Sequence, residues 1–182
     1  MFNGRRMNRS SDSQAEEVAG IYKQEILQAY KGEVLGHSLF FKLSRHYRKD
    51  LYARRAFQLL TEVERETGSL LRELLVRHRI EHLAPTASTA NELAVEQSLK
   101  HLTWDMLMLE MARRISPAVV RFEALLHDVP AADRERIELL VEHERALEAF
   151  VQWRPLRSND ALRPAVRYLR QVRQYNRSLS LG

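Results

Sequence analysis

From Tyr22 to Tyr47 the chain repeats apolar, aromatic or small residues every three or four positions: Tyr22, Ile26, Ala29, Glu33, Gly36, Phe40, Leu43, Tyr47. That spacing is the signature of one face of an α-helix. Glu33 interrupts it near the middle, on the side that has to be buried. An ionised carboxylate in that position costs several kcal/mol, roughly, unless it is paired, protonated or bound to a metal. A long helix with an inward carboxylate is therefore the first expectation.

The pattern recurs. A second stripe runs Phe57, Leu60, Glu64, Thr67, Leu71, Leu74, and a later one Ile137, Leu140, Glu144, Leu147, Val151, with His143 beside it. No segment alternates with period two. Glycine and proline are few, six and five in 182 residues, which favours long helices. The boundaries expected are helix A from Ser13–Glu16 to Tyr47, helix B from Leu51 to His82, helix C from Ala90 to His127, helix D from Ala131 to Trp153 and a shorter fifth helix from Asp160 to Ser178. Ser88 or Thr89 should cap helix C, and Pro117 should kink or split it. The fold class is all-α: an antiparallel four-helix bundle over 13–153, preceded by a disordered tail (1–12) and followed by a basic C-terminal helix (154–182) packed on it.

Helix C is hard to phase. One stripe, Ala94, Ser98, His101, Asp105, Met108, Ala112, Ile115, puts His101 and Asp105 one turn apart; a competing stripe, Leu99, Leu102, Met106, Leu109, turns them aside. Its other acidic candidates are Glu96 and Glu110. On helices A, B and D the polar residues lie within about one turn, ~5.4 Å, of the helix centres, so antiparallel packing brings them to one level. Carboxylates and imidazoles converging from several helices are how di-metal sites are built. The bland alternative puts Glu33, Glu64 and Glu144 at the core edge, paired to arginines such as Arg65, Arg113 or Arg145. His37, four residues after Glu33, has the spacing of a helix-stabilising pair as well as that of a ligand.

GEVLG on helix A, EVERET on helix B and HERALEAF on helix D resemble the corresponding helices of the ferritin-like superfamily. Helix order and length agree over Glu16 to Trp153. The resemblance implies a mid-bundle site for iron or manganese, built in each half from a Glu and a Glu-x-x-His. It matches Glu33 and Glu64 to the glutamates of helices A and B, with Glu144 and His143 supplying helix D. Thr67 stands where helix B would carry its histidine, and Leu147 three residues after Glu144. Thr67, His37, His101 and Asp105 are the remaining candidates for the surroundings of the site.

The chain has no cysteine, so thiolate sites, disulfides and cysteine nucleophiles are excluded. The absence fits a reducing cytoplasm, the expected location. No apolar run reaches the ~18 residues of a membrane span, and MFNGRRMNRSSDSQ has no apolar core of a secretory signal. There is no G-x-S-x-G, P-loop or G-x-G-x-x-G. Net charge is +5; the segment from Arg154 to Arg177, with seven arginines against one acid, accounts for all of it. Arg163, Arg167, Arg170 and Arg173 there are candidates for an anionic partner such as nucleic acid, or for acids of this or another subunit.

Two functional expectations result. One is a ferritin-like bundle binding one or two iron-type ions, a metal-dependent oxidoreductase if it is an enzyme. The other is a metal-free interaction module whose arginine-rich helix meets an anionic partner. A homodimer and a small-molecule ligand in the core are the further partners expected.

Overall fold

The computed structural model describes residues 8–82, 97–99, 101–152 and 157–179. Five long helices make up the described chain: α1 (Asn8–His46), α2 (Leu51–Arg77), α3 (Trp104–Leu125), α4 (Arg134–Gln152) and α5 (Asn159–Leu179). No strand occurs among the described residues, and no described helix is long and apolar enough to cross a membrane. The all-α expectation holds.

Several boundaries differ from expectation, each for a local reason. Helix α1 starts at Asn8 rather than near Ser13, so part of the expected disordered tail is helical. Neither proline nor glycine lies between the two positions, and a helix once nucleated extends at little cost. Helix α2 stops at Arg77, short of His82. Arg79 turns into the left-handed region with φ 53°, and Ile80 N–H closes on the Leu75 carbonyl at 2.8 Å, a Schellman-type stop. The third helix breaks at 101–103 rather than at Pro117. The Thr103 side chain caps its restart by accepting from Met106 N–H, and Pro117 lies within an unbroken α3. The expected cap at Ser88 or Thr89, the start at Ala90, the candidates Ala94 and Glu96, and the end of helix D at Trp153 lie outside the described residues.

The helices pack as neighbours: α1 lies along α2, α3 along α4, and α5 is wedged against both α2 and α4. The fifth helix is thus not an appendage. Its apolar stripe of Leu162, Ala165, Tyr168, Leu169 and Val172 joins the main core with Phe57, Leu60 and Phe150. A second apolar cluster gathers Tyr22, Ile26, Leu71, Leu74, Phe122, Ile137 and Leu140. On α1 the change from one cluster to the other comes between Ala29 and Phe40; on α4 Ile137, Leu140 and Val141 belong to the second cluster and Leu139, Ala146 and Leu147 to the first. Glu33 falls in the gap on α1, and His143 and Glu144 lie between Val141 and Ala146. The polar residues thus lie where the two apolar clusters meet.

Asp133, just before α4, is fully buried and ties the end of the assembly together. It accepts from Tyr22 Oη at 3.0 Å, lies 2.5 Å from His78 Nε2, and has the Arg77 guanidinium at 3.5 Å. Three elements remote in sequence meet on this one carboxylate. Asp133→Ala leaves the Tyr22 hydroxyl without its acceptor, and is expected to cost about 2–3 kcal/mol. The readout is a lower urea midpoint at unchanged slope; an unmoved midpoint would contradict the role.

Candidate metal centre

Each helix delivers its polar residue by the period that delivers its apolar ones. Glu33 lies one turn from Ala29 on α1 and Glu64 one turn from Leu60 on α2, so both carboxylates enter the core with the apolar stripe. Helix α4 packs on both α3 and α5, and its buried face is correspondingly wide. That is why His143 and Glu144, ~100° apart on a helix, are both buried.

The three residues Glu33, Glu64 and His143 each offer a ligand atom within 4.8 Å of the others. His143 Nδ1 is 3.4 Å from Glu33 Oε1, and Nε2 is 3.3 Å from Glu64 Oε1. Glu144 Oε1 lies 4.0 Å from Nδ1. Exposure is 3% for Glu33, 4% for Glu64 and 1% for His143, so water does little to screen these charges. The arginines expected to neutralise the glutamates pair elsewhere: Arg65 with Glu62 and Glu66, Arg113 with Glu110, Arg145 with Glu123 and Glu142. Glu33 and Glu64 are thus core residues rather than core-edge ones, while Glu144 also feels the Arg121 guanidinium.

Electrostatics follows from that crowding. Burial first, then the charges of Glu64 and Glu144, hold the Glu33 carboxyl well above the usual carboxylate range. Burial likewise raises Glu144, against the opposing pull of His143. Burial alone would lower His143, but Glu64 outweighs it and Glu144 adds to the effect, so the imidazole is held above its ordinary value. Three carboxylates around one imidazole leave the level short of positive charge.

Two observations bear on whether a cation fits there. Glu33 Oε2 and His143 Nδ1 are buried without a hydrogen-bond partner, where nearly all buried polar atoms have one. Gly36 leaves room for the cluster: a Cβ at that position would sit 2.3 Å from Glu64 Oε2. Two carboxylate oxygens and an imidazole nitrogen are a donor set suited to manganese, iron or zinc. The residues present fit a metal ion.

Thr67 is fully buried below the cluster but is otherwise engaged. Its hydroxyl donates to the Val63 carbonyl at 2.9 Å and meets Tyr168 Oη at 2.7 Å. Tyr168 was not singled out in the sequence. It reaches the level from α5, its ring centroid 5.4 Å from that of His143, and burial raises its hydroxyl well above the usual range. The apolar i, i+3, i+4 stripe of α5 includes Tyr168, and was the signal available. His37 lies outside the cluster, half-buried, in a cleft of about 440 Å³ between α1 and α2 that has Glu33 and Glu64 on its lining.

His101 and Asp105 do not form a site. Both are exposed, because the break at 101–103 resets the helical phase on which their pairing rested. The inward face of α3 is Leu107, Met108, Met111, Ile115, Val119 and Phe122. Met108 and Ile115 of the first expected stripe are part of it; Met106 and Leu109 of the competing one are exposed. Glu110 is half-exposed and salt-bridged to Arg114 at 2.9 Å. Among the basic candidates, Arg173 is committed within the chain, to Glu62 at 2.5 Å and Glu66 at 3.2 Å. Arg163 pairs with Asp160 at 2.9 Å, and with Arg167 and Arg170 it lines a surface groove beside Arg55.

No protein-family model matches this sequence, and no curated protein and no solved structure matches it. The fold and site define an all-α protein with a buried Glu–Glu–His group able to hold a metal ion.

Proposed function

We propose that this chain is a metal-binding helical protein of the ferritin-like kind, in which Glu33, Glu64 and His143 hold one iron or manganese ion. The observation that carries the reading is the convergence of these three donors from three helices, with Glu33 Oε2 and His143 Nδ1 lacking a hydrogen-bond partner among the described residues. Glu144 stands beside the group as a further carboxylate. An ion of this type, when bound, supplies one-electron redox chemistry or reaction with oxygen, which makes a metal-dependent oxidoreductase the enzyme class favoured. One ion is favoured over two because the Thr67 hydroxyl is taken by Val63 and Tyr168. The chain's own residues set the surroundings: Tyr168, its ring centroid 5.4 Å from that of His143, packs against the imidazole and limits its orientation.

A second reading has its own observation. Both ring nitrogens of His143 lie within 3.4 Å of carboxylate oxygens, and a protonated imidazole between Glu33 and Glu64 would satisfy much of the cluster with no metal. Cobalt(II) titration of chelator-treated protein separates the two. A metal site should give saturable visible absorption at one equivalent, lost in His143→Ala. Absence of any such band in the wild-type protein would favour the proton-bridged cluster.

A further inference from the structure

Between α1 and α3 the structure holds a cavity of about 240 Å³. Most of its wall is apolar, with Leu39, Phe40, Met111, Ile115 and Phe122 prominent. Its buried polar wall is formed by Glu33, Glu64, His143 and Glu144, the polar level itself, while Gln28, Glu110, Arg114 and Arg121 add a second polar stretch to the lining. Glu33 Oε2 and His143 Nδ1, which have no hydrogen-bond partner among the described residues, thus belong to residues on the lining of a mainly apolar chamber. Such a chamber, with a few convergent polar groups at one side, is the usual form of a small-molecule site.

Size and charge narrow the occupant. An apolar cavity of about 150 Å³ accommodates benzene, and pockets for drug-sized ligands begin at roughly 300 Å³. The volume here suits a substituted single ring or a short aliphatic chain. The arginines on the lining are already engaged: Arg114 by Glu110 at 2.9 Å, Arg121 by Glu25 at 3.4 Å and by the Phe122 ring face at 4.5 Å. With three carboxylates on the inner wall and no free cation among the described lining residues, the metal-free cavity has nothing to receive an anionic ligand.

We propose that this cavity binds a small, uncharged, mainly apolar molecule of the phenol class, its hydroxyl turned to Glu33 and His143, and that such a molecule is the substrate presented to the centre. The substrate half of the proposal rests on the metal-centre reading; the binding half stands without a metal.

The test is ¹⁹F NMR of 4-fluorophenol with chelator-treated and with metal-loaded protein, and 4-fluorobenzoate as the charged comparison. Gly32 supplies the discriminating variant. It lines the cavity, a Cβ there meets nothing within 4 Å, and leucine is a better helix former than glycine. Gly32→Leu should therefore fold, keep the metal content of the wild type and intrude on the cavity. The expected result is saturable binding of 4-fluorophenol to the wild type, no saturable binding of 4-fluorobenzoate to the chelator-treated protein, and at least about tenfold weaker phenol binding in Gly32→Leu, a change of ~1.4 kcal/mol. Unsaturable phenol signals in both forms of the wild type would overturn the proposal. So would undiminished binding in Gly32→Leu, or equal binding of the benzoate by the chelator-treated protein. Phenol binding in protein that takes up no metal would retain the cavity as a ligand site and reject only its role beside an ion.

Discussion

Gly36→Ala should leave the chain folded and lower its metal affinity about 10–100-fold, the range typical for loss of support around a ligand. The added Cβ would lie 2.3 Å from Glu64 Oε2 and 2.7 Å from its Cδ. No heavy atoms tolerate that approach, so the Glu64 carboxylate has to leave its place against His143. The helix itself gains, since alanine is favoured over glycine by about 1 kcal/mol in a helix interior. Gly32→Ala is the matched control, one turn earlier on the same helix. Its Cβ meets nothing within 4 Å, so it brings the same helical gain without touching Glu64. Affinity measured by competition with a chelator should fall in the first variant and stay in the second. Equal affinities would mean that Glu64 is not where the ion is held.

Glu33→Gln is expected to do opposite things with and without metal. In the metal-free protein Glu33 is held well above its ordinary value of 4.5 by burial and by its carboxylate neighbours. The folded chain then binds more protons than the unfolded one between those two values. Glu33's contribution is greatest below 4.5 and declines as pH rises toward the raised value. Glutamine removes that decline. Each pH unit of that decline is worth about 1.4 kcal/mol, and ~1 kcal/mol gives a thermal midpoint about 2–4 °C higher in a chain this long. The gain should be seen near neutral pH and vanish near pH 4. Metal reverses the order, because a ligand that binds only the folded state stabilises it and needs the ionised carboxylate that glutamine lacks. Added iron(II) under anaerobic conditions should therefore raise the midpoint of the wild type and not that of the variant. A variant less stable than wild type in chelator would show that Glu33 is already satisfied within the protein.

Much of this site was legible because mid-helix polar residues broke otherwise apolar stripes. Glu33 and Glu64 could be placed inside from period alone, since each sits where an apolar residue belongs. His143 and Glu144 could not be reconciled on one narrow face; the resolution lies in α4 having neighbours on two sides, which no pattern within α4 reveals. Tyr168 was hidden by a different assumption. The arginines of α5 suggested an outer helix, but they occupy only its exposed edge while Leu162, Ala165, Tyr168 and Val172 enter the core. His101 and Asp105 misled because a spacing of four means a shared face only while the helix is continuous. Asp133 gave no sign of burial: in the expected helix from Ala131 it is one more first-turn acid, and its burial depends on Tyr22 and His78, which are remote in sequence.

The most direct test of the central claim is elemental analysis of protein purified without chelators or an affinity metal, alongside Glu33→Ala and Glu64→Ala. The expected result is about one iron or manganese per wild-type chain, the number one set of converging donors holds, and neither metal in either variant. Wild-type protein that carries no metal, and takes up no iron(II) when supplied anaerobically, would contradict it and leave Glu33, His143 and Glu64 as a buried proton-bridged cluster.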